Sequence, residues 1–550
     1  MPLPSFLLRP RSPRTVVVWL ALWLAIVGNL ALWRELWRLG GAGPQAILLC
    51  LGVFVFVFTA TTALMSLTAW GRWWKAVWIA ILVAAGIAQH FMLSYGVVMD
   101  TTMLANTMQT DPREVRDLLG RTFAGNLLLV VALPAVLLAL VPVRRTAWWP
   151  QLWKNAALFA GALAATALAM FAMYGPVAPL VRNNMHLRYI VNPIAGLSAA
   201  AWVGIGPLFK KSKALVPIGA GVALGPSYAS RAPPPLLVLV VGETARADHF
   251  ALNGYPRPTT PELGALDVLS FREVRSCGTD TRASVPCMFS PLGKAGFEKR
   301  KAEHENLLDL LQAAGLAVLW IDNQAGCKEV CARVPTASTA DLPADAAARL
   351  CSNGECFDDA LLVGLDERIA RLPEERRRRG VVLAMHQMGS HGPAYFKRSP
   401  PALKRFLPEC TNPTLGQCEQ AQVINAYDNT IATTDHFLAA TIAWLKGRTG
   451  VAPGLLYMSD HGESLGELGL FLHGLPYAIA PDAQKHVPFV AWFGDALLAR
   501  RALDAACLRG RLDLPLSHDN LFHSVLGLLD VVSPTYQPGL DAFAPCRKPG

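Results

Sequence analysis

Residues 276–288 read Ser-Cys-Gly-Thr-Asp-Thr-Arg-Ala-Ser-Val-Pro-Cys-Met. Thr281 stands between Cys277 and Cys287, and a bond between those cysteines would pin a short loop with one hydroxyl near its middle. A threonine hydroxyl is a weak nucleophile at its ordinary pKa and needs a metal or a base to activate it. Two further stretches carry groups that a metal takes, Val-Gly-Glu-Thr-Ala-Arg-Ala-Asp-His at 241–249 and Ser-Asp-His-Gly-Glu-Ser-Leu-Gly-Glu at 459–467. Glu243, Asp460 and His461 offer carboxylate and imidazole donors of the kind zinc binds, which leaves Thr281 as the fourth, reactive position. Such a centre suits phosphoryl transfer, because a metal both acidifies the hydroxyl and polarises a phosphoryl oxygen. Lys328, His386, His391 and His473 add positive charge or a second, weaker metal site. By itself the loop reads equally well as a disulfide-braced turn without chemistry; the three stretches together favour the metal centre. His249, His304, His436, His486, His518 and His523 read as surface or hydrogen-bonded core residues, and Glu463 and Glu467 as capping or solvent-facing groups.

These residues need a frame, and the second half of the chain supplies one. Apolar runs of strand length at 236–241, 316–321, 381–385, 454–458 and 487–493 alternate with helix-length segments. That alternation predicts an α/β domain with a largely parallel sheet covered on both faces. Ligands of such sheets gather beyond the carboxyl ends of the strands. Gly242 and Glu243 follow the first run, Asp322 to Lys328 the second, His386 and His391 the third, Asp460 and His461 the fourth. If a helix begins at Thr281, its backbone N–H groups face the phosphoryl group.

The first half is different in kind. The hydrophobic fraction of 53% is too high for a purely soluble protein, and it concentrates in five runs at about 15–33, 46–68, 74–95, 124–142 and 156–174, each long enough to cross a bilayer. Arg34 and Arg38 follow the first run where a cleavage site would need small residues, so it reads as a retained anchor. With those arginines in the cytoplasm, Arg72, Lys75, Arg144, Arg145 and Lys154 also fall in cytoplasmic loops, and five crossings leave the C-terminal domain outside. Ten of the eleven cysteines lie in that domain. They form close pairs in sequence, 277 with 287, 327 with 331, 351 with 356, 410 with 418 and 507 with 546, a disulfide pattern of an oxidising compartment. The net charge of +10 points to an anionic membrane surface as partner and not to nucleic acid, which an exported domain rarely meets. Asn106, Thr110 and Glu114 recur every four residues in the loop after the third run and would share one face of a short helix. The expected organisation is a transmembrane domain over 1–185, an interfacial helix and linker over 186–235, and a catalytic α/β domain over 236–550, in a monomer.

The motifs already quoted, with Ser-Val-Pro-Cys-Met-Phe-Ser at 284–290, His-Gln-Met-Gly-Ser-His-Gly-Pro-Ala-Tyr-Phe-Lys-Arg at 386–398, Asn-Ala-Tyr-Asp-Asn at 425–429 and Leu-His-Gly at 472–474, closely resemble the phosphoethanolamine transferases that modify lipid A, including the mobile colistin resistance enzymes. The resemblance implies an alkaline-phosphatase or sulfatase-like fold for the second half, in a bacterial inner-membrane protein with its catalytic domain in the periplasm. It implies Thr281 as nucleophile, Glu243, Asp460 and His461 as zinc ligands with Thr281, and Lys328, His386, His391 and His473 on the substrate side. Asn106, Thr110 and Glu114 match positions that contact the ethanolamine-bearing substrate. The implied reaction takes phosphoethanolamine from phosphatidylethanolamine onto Thr281 and then to a lipid A phosphate, which lowers surface negative charge and weakens binding of cationic peptides such as polymyxins. A lipopolysaccharide core sugar or another glycan is the alternative acceptor. A sulfatase is the nearest rival, but Cys-Gly-Thr-Asp-Thr at 277–281 does not match the Cys- or Ser-x-Pro-x-Arg sequence from which such enzymes form their aldehyde. A silent lipid-binding receptor would not need Glu243, Thr281, Asp460 and His461 together.

Overall fold

The computed structural model describes residues 9–548 apart from 41–42, 71–72, 109–114, 117, 145–146, 210–213 and 353. The chain divides into two compact units, one over Met1–Gln109 and Glu114–Lys210, the other over Lys211–Gly550 with Thr110–Arg113.

Among the described residues, the first unit holds five helices long and apolar enough to span a membrane: α1 Pro13–Leu39, α2 Ala46–Ser66, α3 Trp74–Tyr95, α4 Arg121–Leu140 and α5 Trp148–Ala172. Ser12 caps α1 by accepting from Thr15 N, and Pro13 fills the first helical position, where a missing N–H costs nothing. In α4 the turn Leu128–Ala132 widens to π geometry just before Pro134, because proline withholds an N–H and crowds the preceding turn. Two boundaries depart from the sequence expectation. α5 begins at 148, not 156, so Lys154 lies within the helix and not in a loop; Trp148, Trp149 and Trp153 carry the helical pattern back to the span's end. Lys75 is likewise the second residue of α3. Lys75 donates to Ala139 O and Val141 O at 3.2 and 2.8 Å, and Lys154 is exposed. Buried Asn29 and Asn192 clasp each other, and Asn192 also donates to Gly28 O and Ala85 O at 2.8 and 2.7 Å. This fastens the segment before α6 (Ile194–Phe209) to α1 and α3. Asn106 lies on a short helix, Thr101–Thr107, capped by Asp100; Thr110 and Glu114 lie outside the described residues.

The second unit is built on a seven-stranded sheet: β1 Pro235–Gly242, β2 Leu269–Phe271, β3 Ala317–Asp322, β4 Thr336–Ser338, β5 Val381–His386, β6 Ala452–Ser459 and β7 Phe489–Phe493. The spatial order is β2-β7-β6-β1-β5-β3-β4. β6, β1, β5, β3 and β4 run parallel, while β7 is antiparallel to β6 and β2 to β7, so the 487–493 run does not end where the parallel strands do. Side chains alternate across β1: Leu237, Leu239 and Val241 enter one apolar core, Leu236, Val238 and Val240 the other. The first core packs the helices α7 (Thr281–Met288) and α9 (Asp519–Leu528), the second the long helix α8 (Gln420–Lys446). Within 210–235, Leu215–Val216 pairs with Glu303–His304 and Ala223–Leu224 with Val531–Val532. Disulfides join Cys277–Cys287, Cys327–Cys331, Cys351–Cys356, Cys410–Cys418 and Cys507–Cys546, and Cys50 is free.

Candidate active site

Register decides which residues meet. Ser459 of β6 pairs with Gly242 of β1, Val241 with His386 of β5, and His386 with Asp322 of β3. Four neighbouring parallel strands therefore end level, and the residues just past those ends, Glu243, Asp460 and His461, fall within 4.8 Å of one another by their ligating atoms. All three are buried. Thr281 is the first residue of α7, with Asp280 as N-cap accepting from Ala283 N at 3.0 Å. Its Oγ1 lies 3.3 and 3.2 Å from the two Glu243 oxygens, to which it donates, and 3.4 Å from His461 Nε2. His461 Nδ1–H donates to Gly462 O at 2.9 Å, which aims Nε2 at the carboxylates. Asp460 spends Oδ1 on Thr244 N and its own neighbour's N–H at 3.1 and 2.8 Å, while Oδ2 is buried without a hydrogen-bond partner.

The charges in this cluster fit a cation. Burial opposes ionisation of Glu243, yet the hydrogen bond from His461 and the charges of His391, His461 and His386 hold its carboxyl well below the usual range. Burial, and then the Glu243 charge, push Asp460 up to about 7. Burial works against protonated His461, but Asp460 and Glu243 outweigh it and raise the imidazole to about 10. Two carboxylates thus hold a proton on an imidazole where a divalent ion would relieve the same crowding. The free Asp460 oxygen and the donor set of two carboxylates, one imidazole and one hydroxyl fit such an ion.

The other predicted residues are distributed around this core. His386 is buried at the end of β5; its Nδ1 bonds Asp322 at 3.1 Å, and its Nε2, without a hydrogen-bond partner, lies 3.9 Å from Glu243. The His473 ring centre is 4.2 Å from that of His461 and 5.7 Å from that of His391. Burial, reinforced by His461, lowers His473 to about 3, so it is neutral. Lys328 bonds within its own loop, donating to Ala325 O at 3.0 Å. Glu463 corrects the sequence expectation: it does not face solvent but is fully buried, bonded by Tyr395 O–H at 3.0 Å and His473 Nδ1 at 3.3 Å, and burial raises it to about 8. Glu467 pairs with buried Arg246 at 2.5 Å.

Several supporting residues, Gln324 after the second strand run and Tyr427 in the motif at 425–429 among them, show their roles only in the fold. Gln324 donates to Glu243 Oε2 at 3.0 Å. Tyr427 O–H donates to Thr244 O at 2.8 Å and accepts from Arg246 N at 2.9 Å, bracing the backbone behind Glu243, where Thr244 takes a positive φ of 60°. Asp358, buried, accepts from Met388 N and Gly389 N at 2.8 and 2.9 Å and shapes the turn leading to His391. His518, expected only as a surface or core residue, joins the loop that leads to Thr281 to β6: Cys277 N–H donates to Nδ1 at 3.0 Å, and Nε2–H donates to Ser459 O at 2.9 Å. Lys294 holds the other side of the same residue, donating to Cys277 O at 2.5 Å.

Comparison with known proteins agrees with this architecture. Residues 235–531 match the sulfatase family profile, and residues 57–204 match that of "Phosphoethanolamine transferase EptA/EptB". The chain is 36% identical to phosphoethanolamine transferase EptA of Salmonella typhimurium over 99% of both chains. It is 36% identical to phosphatidylethanolamine transferase Mcr-1 of Escherichia coli over 96% of both. Among solved structures it superposes on the integral membrane lipooligosaccharide phosphoethanolamine transferase A of Neisseria meningitidis with a TM-score of 0.91 at 32% identity, covering 97% of this chain and 99% of that one. The soluble domain of the same Neisseria protein matches at 40% identity with a TM-score of 0.57, over 62% of this chain and 99% of that one. With five spans, a sulfatase-like domain and near full-length identity of this order, the chain belongs to the phosphoethanolamine transferase family, as a multi-pass inner-membrane transferase whose α/β domain lies on the periplasmic side.

Proposed function

We propose that this protein transfers phosphoethanolamine from phosphatidylethanolamine to a phosphate of lipid A through a covalent intermediate on Thr281. The observation that carries the reading is the Thr281 hydroxyl, at the start of α7 and 3.2–3.4 Å from Glu243 and His461. Glu243, Asp460, His461 and Thr281 would hold the ion, and zinc suits this donor set. When bound, it acidifies the threonine hydroxyl and polarises a phosphoryl oxygen. Glu243 orients Oγ1 for attack, and the N–H groups of the first turn of α7 favour the negative phosphoryl oxygens. Oγ1 forms a bond to phosphorus as the bond from phosphorus to the glycerol oxygen breaks, and the hydroxyl proton ends on the released diacylglycerol. A phosphate oxygen of lipid A then displaces Oγ1, which regains a proton. His386, His391, His473 and Lys328 serve the substrate side, as do Asn106, Thr110 and Glu114. Lys328, His386, His391 and His473 would also add positive charge or hold a second, weaker ion.

The names of the relatives, a phosphatidylethanolamine transferase and a lipooligosaccharide phosphoethanolamine transferase among them, support donor and acceptor alike. Modified lipid A carries less negative charge, so expression should raise resistance to polymyxins such as colistin. Residues 186–235 serve as interfacial helix and linker between the membrane domain over 1–185 and the catalytic domain over 236–550, and the enzyme acts as a monomer. The test is mass spectrometry of lipid A from cells with and without the protein, together with the intact mass of the enzyme after incubation with phosphatidylethanolamine alone. Lipid A without added phosphoethanolamine overturns the acceptor, and core sugar carrying it instead identifies the alternative. Enzyme that turns over without gaining mass overturns the intermediate.

A further inference from the structure

The segment between Glu463 and His473 is a small hairpin in which Ser464 pairs with Leu472 and Leu465 with Phe471. Its two ends are thus residues of the active site. Its tip, Gly466-Glu467-Leu468-Gly469, is fixed from below: Gly466 N–H donates to Leu470 O at 2.7 Å, Leu465 N–H to Glu467 Oε2 at 2.6 Å, and Arg246 pairs with Glu467. Phe471 and Leu472 pack against the core. Leu468 does not. It is 83% exposed, against 65% for Leu407, the next most exposed large apolar side chain of the α/β unit among the described residues. It also adopts φ 55° and ψ 22°, left-handed geometry that a branched apolar residue takes only at a cost and that glycine or asparagine takes readily.

Strain and exposure therefore fall on one side chain, at the tip of a hairpin whose two ends lie in the candidate site. Strain of this kind persists where the surroundings impose it, and it gathers at functional sites. One exposed leucine is ordinary on a protein surface; one held there in left-handed geometry by a tethered tip is not. The donor in the proposed reaction is an amphiphile whose phosphorus must reach Thr281 while its glyceride tail remains attached, so apolar surface of the substrate lies next to the site during attack.

We propose that Leu468 is a contact for the glyceride portion of the phospholipid donor, and that the hairpin joining Glu463 to His473 holds it in left-handed geometry to present it to that substrate. The inference rests on the transferase reading above. Leu468→Asn and Leu468→Gly each relieve the backbone strain and remove the apolar surface, whereas Leu468→Met keeps that surface. The assay is diacylglycerol release by full-length enzyme from dioleoylphosphatidylethanolamine in dodecyl maltoside mixed micelles, with bound metal and thermal midpoint measured on the same samples. The expected result is a rise in thermal midpoint for Asn and Gly with unchanged metal content. Their kcat/KM falls about tenfold, carried by KM, which is the scale of burying one leucine side chain, and Met restores most of the loss. A donor-binding role alone predicts more stable yet less active variants, because a merely structural leucine would lose stability and activity together. Asn and Gly variants with wild-type KM, or a Met variant as impaired as Asn, overturn the assignment. Wild-type enzyme that releases no diacylglycerol overturns the transferase reading itself, a result distinguishable from the failure of Leu468.

Discussion

Replacing His518 should separate catalysis from metal binding. Its neighbours Leu516–Ser517 pair with Val274–Arg275, and its own N–H donates to Arg275 O at 2.9 Å, so the imidazole is delivered to the base of the nucleophile loop. The ring is fully buried and plays two opposite parts, accepting from Cys277 N–H and donating to Ser459 O. Only the neutral tautomer can do both, and burial, chiefly, lowers the ring to about 4. His518→Ala leaves a buried N–H and a buried C=O unpaired, each worth about 1–3 kcal/mol, and frees the loop carrying Thr281. A misplacement of Thr281 of about 1 Å would lower kcat about 100-fold, whereas Glu243, Asp460 and His461 keep their places and metal content should hold. His518→Gln can accept and donate at both positions and should recover most of the activity. The pH dependence is a second signature. Above an ordinary imidazole pKa of 6.5, folded and unfolded chains both carry the neutral ring and the stabilisation is intact. As pH falls from 6.5 towards 4, the unfolded chain takes a proton that the folded one refuses, so stability declines by up to about 3 kcal/mol from this residue. Urea denaturation of wild type and His518→Gln across pH 4–8 reads that difference, and the glutamine variant should lack it. Equal slopes for the two proteins, or an alanine variant that loads Thr281 at the wild-type rate, would refute the reasoning.

Thr281→Ala should form no phosphoethanolamine adduct while retaining weakened metal through the other three ligands, and Thr281→Ser should keep partial activity; intact-mass analysis after incubation with phosphatidylethanolamine distinguishes them. Glu243→Ala and His461→Ala should each lower bound metal, read by elemental analysis, and a variant with full metal and full activity would show the ligand set to be wrong. Chelation should abolish turnover while circular dichroism reports an unchanged disulfide-braced domain. Because the metal-free imidazole of His461 stands at about 10 and the Asp460 carboxyl at about 7, metal must displace protons: affinity should weaken as pH falls below about 10 and more steeply below about 7, with proton release visible by calorimetry in buffers of different ionisation enthalpy. A reporter active only outside the cytoplasm should work when fused after Gly550 and fail in the loop at 69–74.

Much of this protein is local in origin and was legible from composition and spacing. Five apolar runs set five spans, because a bilayer core demands about 20 apolar residues whatever follows them. The strand runs of β1, β3, β5 and β6 were equally plain, since strands buried on both faces must be apolar throughout, and the chemistry-bearing residues follow directly at their ends. Boundaries that depend on neighbours were less plain: α5 reaches back to Trp148 because tryptophan and lysine continue a helix at a membrane edge without raising its hydropathy.

What the tertiary structure alone decided is which of many polar residues lie inside the site. Glu463 and Glu467 stand four residues apart in one acidic stretch, yet only the fold buries the first beside His473 and turns the second to Arg246. His518 lies 237 residues from Thr281 in the chain and resembles any core histidine until the pairing of 516–517 with 274–275 brings it beneath the nucleophile loop. The sequence determined which groups could react, since a metal site and a nucleophile would each require particular side chains. The residues that hold those groups in place act through backbone hydrogen bonds, which many side chains can make, so their identity carries no mark until sheet register and loop packing set the distances.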